Sequence, residues 1–220
     1  FDATDVLAYI SDGAVVTSKK GDITVSSTNK VDIDTTVVAA SVAAGYSSSE
    51  KALALSGGGA IAENRISGKT NAYVDSSTVV SGSEATSGSD LTISASNDAS
   101  TIDAAVIAAA ISAAIAPAKS AGSAGIGFSI ARNLIGDSAD FAILDGSGGT
   151  KGEVRAYAKS SGLTAKGALS VTANGNQRIN ALVGAGAVAI AYGGKEKALS
   201  IGGSGVVTEN KIAMTIEAEV

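Results

Sequence analysis

From Ile179 to Ile212 the chain carries two apolar runs on either side of a polar turn. In the first run Leu182, Gly184, Gly186, Val188, Ile190 and Tyr192 share one side of an extended strand, and Ala181, Val183, Ala185, Ala187, Ala189 and Ala191 share the other. Neither side is polar, so the pattern predicts a strand covered on both faces. Gly193-Gly194-Lys195-Glu196-Lys197 interrupts it, and a second apolar run returns to Glu209-Asn210-Lys211-Ile212. The pair predicts a long hairpin.

The same pattern occurs three times. Ala60-Ile61-Ala62-Glu63-Asn64-Arg65-Ile66 matches Val206-Val207-Thr208-Glu209-Asn210-Lys211-Ile212, and Ser129-Ile130-Ala131-Arg132-Asn133-Leu134-Ile135 is the middle version. Each copy opens on a short alternating strand: Asp22-Ile23-Thr24-Val25-Ser26, Asp90-Leu91-Thr92-Ile93-Ser94 and Ala168-Leu169-Ser170-Val171-Thr172. A third marker is the Ala-Tyr pair of Ala8-Tyr9-Ile10, Ala72-Tyr73-Val74 and Ala156-Tyr157-Ala158. These registers divide the chain into one array: the tail of a preceding unit at 1–21, then units at 22–89, 90–167 and 168–220. Both ends fall within a unit, and the chain is expected to be a piece of something longer.

The middle unit departs from its neighbours. It carries an extra stretch, Asp137–Gly152, expected to be a surface loop. Its first arm, 103–117, is rich in Ala, and by local propensity alone it is also readable as helix. Val37–Tyr46 and Leu182–Tyr192 at equivalent positions are richer in Gly and β-branched residues, which favours strand. A unit with a two-sided apolar strand cannot bury it alone, and stacking on neighbours closes the core. The expected fold is therefore all-β: a β-solenoid, or an elongated layered array of stacked repeats with long apolar hairpins.

Composition narrows the function. The chain has 220 residues, 27 Gly, one Pro, no Cys and no His. Without His or Cys, the common catalytic triads, thiol nucleophiles and histidine-bearing zinc sites are excluded. A net charge of −5 argues against nucleic-acid binding, which needs a basic stripe. The uncharged run Ala104–Ala118 is shorter than the roughly 20 residues of a spanning helix, so no membrane span is expected.

The remaining candidates are weak chemically. Asp32 and Asp34 share one face of a strand, as the carboxylate pair of a hydrolase does, but the third copy has Arg178 and Asn180 there, so solvated strand-entry residues are the plainer reading. Asp145-Gly146-Ser147-Gly148-Gly149 resembles a calcium turn only loosely, and calcium remains an alternative. Gly202-Gly203-Ser204-Gly205 lacks the Gly-Lys-Ser/Thr of a phosphate loop, and its expected role is close approach of a neighbouring sheet. Asn64, Asn133 and Asn210 are expected to close equivalent turns and to stack on one another. Tyr9, Tyr73 and Tyr157 are expected to form a stacked column, with a carbohydrate-contacting stripe as the alternative. No catalytic, cofactor or metal residue is assigned.

The combination of Ala72-Tyr73-Val74, Gly21-Asp22-Ile23-Thr24-Val25-Ser26, an Ala/Gly-rich hairpin and Gly202-Gly203-Ser204-Gly205 ahead of Glu209-Asn210-Lys211-Ile212 resembles the repeats of giant bacterial surface and secreted proteins. These are the filamentous-adhesin and leukotoxin-like β-strand-repeat proteins. The resemblance implies export to the cell exterior and a non-enzymatic role in contact between cells or with a surface, through a carbohydrate or protein receptor. Neighbouring repeats of the same chain are the other expected partner. Two alternatives stand beside it: a polysaccharide-active β-helix enzyme using Asp137, Asp140 and Asp145, and a calcium-stiffened passive spacer.

Overall fold

The computed structural model of the chain describes residues 2–85, 87–136 and 151–220. It is all-β with parallel sheets and no closed barrel, and the described residues contain no helix. Among them, accordingly, no helix is long and apolar enough to cross a membrane.

In chain order the strands are β1 (Asp2–Ala3), β2 (Val6–Ile10), β3 (Val15–Ser18), β4 (Ile23–Asn29) and β5 (Asp32–Tyr46). Next come β6 (Ala52–Ser67), β7 (Lys69–Asp75), β8 (Thr78–Ser81), β9 (Leu91–Ala116) and β10 (Ala121–Ile135). The last five are β11 (Gly152–Lys159), β12 (Gly162–Ala165), β13 (Leu169–Gly193), β14 (Ala198–Ile212) and β15 (Met214–Glu219).

Among the described residues the strands pair in parallel, and apart from the two-residue β1 they do so with the equivalent strand of a neighbouring copy. Ile23 and Leu169 both sit beside Leu91, Ala52 and Ala198 beside Ala121, and Val79 lies between Val16 and Leu163. The strands that open the three sequence copies are thus neighbours in one sheet.

The short strands surround a compact body. Along β4, Ile23 and Val25 turn inward while Thr24 and Ser26 face out, because successive side chains alternate across a strand. Leu91, Ile93, Val74, Val79 and Val154 fill the centre with no exposed surface.

From this body a two-layer fin projects. One layer is β5 with the second halves of β9 and β13, and the other is β6, β10 and β14. Here the expected hairpin is corrected. The arms on either side of the turn at 47–51 are not hydrogen-bonded to each other: β5 pairs with β9, and β6 with β10. They face one another across the two layers, packed through small side chains such as Ala54, Ala60, Ala108 and Ala114. The layers approach so closely that a Cβ on Gly58 would lie 2.5 Å from the Ala109 carbonyl oxygen, and one on Gly127 2.4 Å from that of Gly186. Buried hydroxyls stitch the layers: Ser112 and Ser123 lie 2.7 Å apart, and Ser129 donates to the Gly184 carbonyl at 2.7 Å.

The Ala-rich arm at 103–117 is strand up to Ala116, not helix. Paired along its length by β5 and β13, it gains backbone bonds on both edges, and these override the helix propensity of Ala. The extra stretch begins after Gly136 and ends before Gly152, whose N–H donates to the Gly136 carbonyl at 2.6 Å. Gly152 therefore belongs to β11 rather than to the insertion. Residues 137–150, with Asp137, Asp140 and Asp145 and the calcium-like Gly146-Ser147-Gly148-Gly149, lie outside the described residues.

Candidate contact surface

The tyrosines sit on the outer side of the sheet formed by β2, β7, β11 and β15. Ala72 and Val74 point into the body, so alternation sends Tyr73 outward. Tyr73 lies between Tyr9, at 5.2 Å between ring centres and 9° between planes, and Tyr157, at 4.9 Å and 3°. That spacing is close to that of neighbouring strands.

The geometry bears on sugar recognition. A sugar stacks on a free aromatic face, but both faces of Tyr73 are covered by the other two rings. Tyr73 therefore offers only its ring edge and hydroxyl, and Tyr9, on the edge strand β2 and 57% exposed, is stacked on one side by Tyr73. Burial, followed by the neighbouring Tyr73, pushes the Tyr157 hydroxyl pKa above its ordinary value. The Arg155 guanidinium lies 5.2 Å from the Tyr157 ring centre. At the next register position Glu219 replaces tyrosine, so the column ends there and β15 is the fourth strand of that sheet.

The asparagines do not close turns. Asn64, Asn133 and Asn210 lie within β6, β10 and β14, in register. The Asn64 amide donates to Asn133 and the Asn133 amide to Asn210, each at 2.8 Å, and Thr35 donates to Asn64 at 2.7 Å. Their amides bond to one another along the sheet rather than to turn backbone. The corners use serine: Ser76 and Ser160 have φ of 50°, and Ser77 and Ser161 donate to the Asp75 and Lys159 carbonyls. The recurring Ser-Ser at 76–77 and 160–161 is the sequence signal for these corners.

Charged rows mark the base of the fin. Arg132 stands between Glu63 and Glu209, 3.6 Å and 2.9 Å away, so opposite charges alternate across three strands. On the other layer Asp34, Asp103 and Asn180 form a row, with Asn180 donating to Asp103. Beside it, Asp32 accepts from the Thr101 hydroxyl at 2.8 Å and pairs with Lys30 at 3.3 Å. Thr101 first, and then Lys30, hold its carboxyl below the usual range.

Above these rows both outer faces of the fin are apolar. Val42 is 76% exposed, Tyr46 72%, Leu53 68% and Ile126 65%, Val38, Ile190 and Ile201 are also largely open, and Ile107 and Ile111 on the central strand are a little under half exposed. The cover that the two-sided pattern predicts is present only on the inner side. Contiguous apolar patches of this extent are a feature of interaction surfaces in general. No family model, curated protein or solved structure matches this chain.

Proposed function

We propose that the chain is a non-catalytic structural and contact segment of a very large extracellular bacterial repeat protein. In this reading the three units stack as a β-solenoid, and its sides meet another cell, a surface, or a carbohydrate or protein receptor. The observation that carries the reading is the register: Ala72, Ala156 and Ala218 are lateral neighbours, as are the three tyrosines and the three asparagines. Such rows extend by adding copies, as a stalk requires.

The pairing also favours a broad contact surface. Asn64 and Asn133 are 69 residues apart, and Asn133 and Asn210 are 77 apart. Each copy nevertheless advances the array by only one strand spacing, about 4.8 Å. Most of a copy is therefore side surface rather than length.

The test is to offer the chain a panel of acidic and neutral glycans and immobilised surface proteins. Saturable retention on one class without any new reducing end or unsaturated sugar is the expected result. Turnover of any glycan would overturn the proposal, and so would absence of retention across the panel.

A further inference from the structure

The outer face formed by β5, β9 and β13 carries six rows between the Asp34 row and the tip. From base to tip they begin at Thr36, Val38, Ala40, Val42, Ala44 and Tyr46, and the middle strand reads Ala105, Ile107, Ala109, Ile111, Ala113, Ile115. Small and large alternate. Reversing six alternating rows exchanges large positions for small ones, so a second copy turned end for end meets each large side chain with a small one.

The third strand tests whether this is mere alternation. It reads Leu182, Gly184, Gly186, Val188, Ile190, Tyr192, which no longer alternates. Yet the second row still complements the fifth. Val38 meets Ala44 and Ile107 meets Ala113, and in the third strand the sizes swap together, so that Gly184 meets Ile190. The third row complements the fourth throughout: Ala40 with Val42, Ala109 with Ile111, Gly186 with Val188. Only the outermost crossing of the third strand, Leu182 with Tyr192, brings two large residues together. Cβ positions on Gly184 and Gly186 meet nothing within 4 Å, so both are open hollows.

We propose that this face is a self-complementary interface, and that its occupant is a second copy of the chain. The two copies are related by a two-fold axis parallel to the direction in which the strands pair. Strands then run antiparallel across the interface, each strand facing its own equivalent, and added copies extend the contact without loss of register.

Charge agrees with the reversal. It places the fin tip, where Lys51, Lys119, Lys195 and Lys197 outnumber Glu50 and Glu196, beside Asp34 and Asp103 of the partner. Six rows across three strands give a footprint of about 500 Å² per partner. The total of about 1,000 Å² is at the threshold for a specific interface, and it rises with every further copy. The opposite face lacks the pattern: Ile126 and Phe128 stand together between Gly57 and Gly203 and between Gly59 and Gly205. A lipid surface would require apolarity there but not paired sizes.

The test is sedimentation equilibrium of the full chain with three outward-facing variants. The expected wild-type species has twice the 21.3 kDa chain mass and dissociates on dilution. Ala113→Ile sets two large side chains at one crossing and should raise the dimer Kd by about tenfold or more. Ile107→Ala combined with Ala113→Ile repeats the order of the third strand and should restore dimerisation. Ile126→Asp, on the other face, should leave it unchanged. A wild type that stays monomeric at every concentration overturns the proposal, whether or not it floats with phosphatidylcholine vesicles. Failure of the double variant to recover, with circular dichroism unchanged, also overturns it, as does loss of the dimer in Ile126→Asp.

Discussion

The body and the fin use the same parallel pairing but place their side chains oppositely. In the body Leu91, Ile93, Val74 and Val154 point in and Thr or Ser points out. In the fin the inner side is mostly Ala, Gly and Ser, apart from the Val37, Val106 and Val183 row near its base, while the large Val, Ile, Leu and Tyr residues of its upper part stand on the outer sides among small ones. The body obtains its stability from apolar burial within one chain. Close approach of the fin layers, by contrast, requires small side chains between them, which leaves the large ones available for something outside. An inverted size pattern of this kind separates an exposed apolar face from a buried core.

The largest expected effect contrasts two isoleucines on one strand. Ile93→Ala removes a fully buried side chain from the body and should cost about 2–5 kcal/mol in equilibrium unfolding. Ile111→Ala, 47% exposed on the fin, should change the stability of dilute protein by about 1 kcal/mol or less. Equal losses at both positions would remove the distinction between the two regions.

Glycines sharpen the contrast at a smaller scale. Gly58→Ala forces a Cβ against the Ala109 carbonyl and should destabilise by about 1–3 kcal/mol. Gly203→Ala, with nothing within 4 Å, should be neutral or slightly stabilising, since Gly weakens a strand interior. Thermal melts of the two variants check this.

The asparagine row should show a gradient. Asn133, fully buried and bonded on both sides, should cost about 1–3 kcal/mol when changed to Ala, because Asn64 and Asn210 each lose a partner. Asn210→Ala, at an exposed position with one such partner, should cost less. Denaturant titration of both proteins measures the difference.

The smallest expected effect is on pH. The folded Tyr157 hydroxyl holds its proton above the ordinary tyrosine pKa of 10.0. The unfolded chain therefore ionises first as pH rises, and stability present below about pH 10 should decline above it. Phenolate absorbance followed through an alkaline titration, alongside Tyr157→Phe, reports the contribution.

Much of the fold is legible in the chain, for identifiable reasons. The matched openings at Ile23, Leu91 and Leu169 locate strands that become neighbours, because alternation and turn residues are local signals. The partner of each fin arm is less legible. Alternation along Val37–Tyr46 tells which residues share a face, but two apolar faces leave open whether the returning arm pairs beside it or packs across from it. Glu63-Asn64-Arg65 looks like a turn because Asn favours turns, whereas a buried amide row satisfies the same side chains inside a strand. The size complementarity of Gly184 with Ile190 needs the observed register before it becomes visible at all.

The central claim is that equivalent positions of the copies are lateral neighbours in parallel strands. The chain has no cysteine, so nitroxide labels can be placed at will. Labels on Thr24→Cys and Thr92→Cys, register partners on the outer side of the body, should lie about 5 Å apart at the backbone and give strong spin exchange. Labels on Thr24→Cys and Ser96→Cys, displaced by four residues and about 13 Å along the strand, should give little. Exchange in the second pair and not in the first would contradict the account.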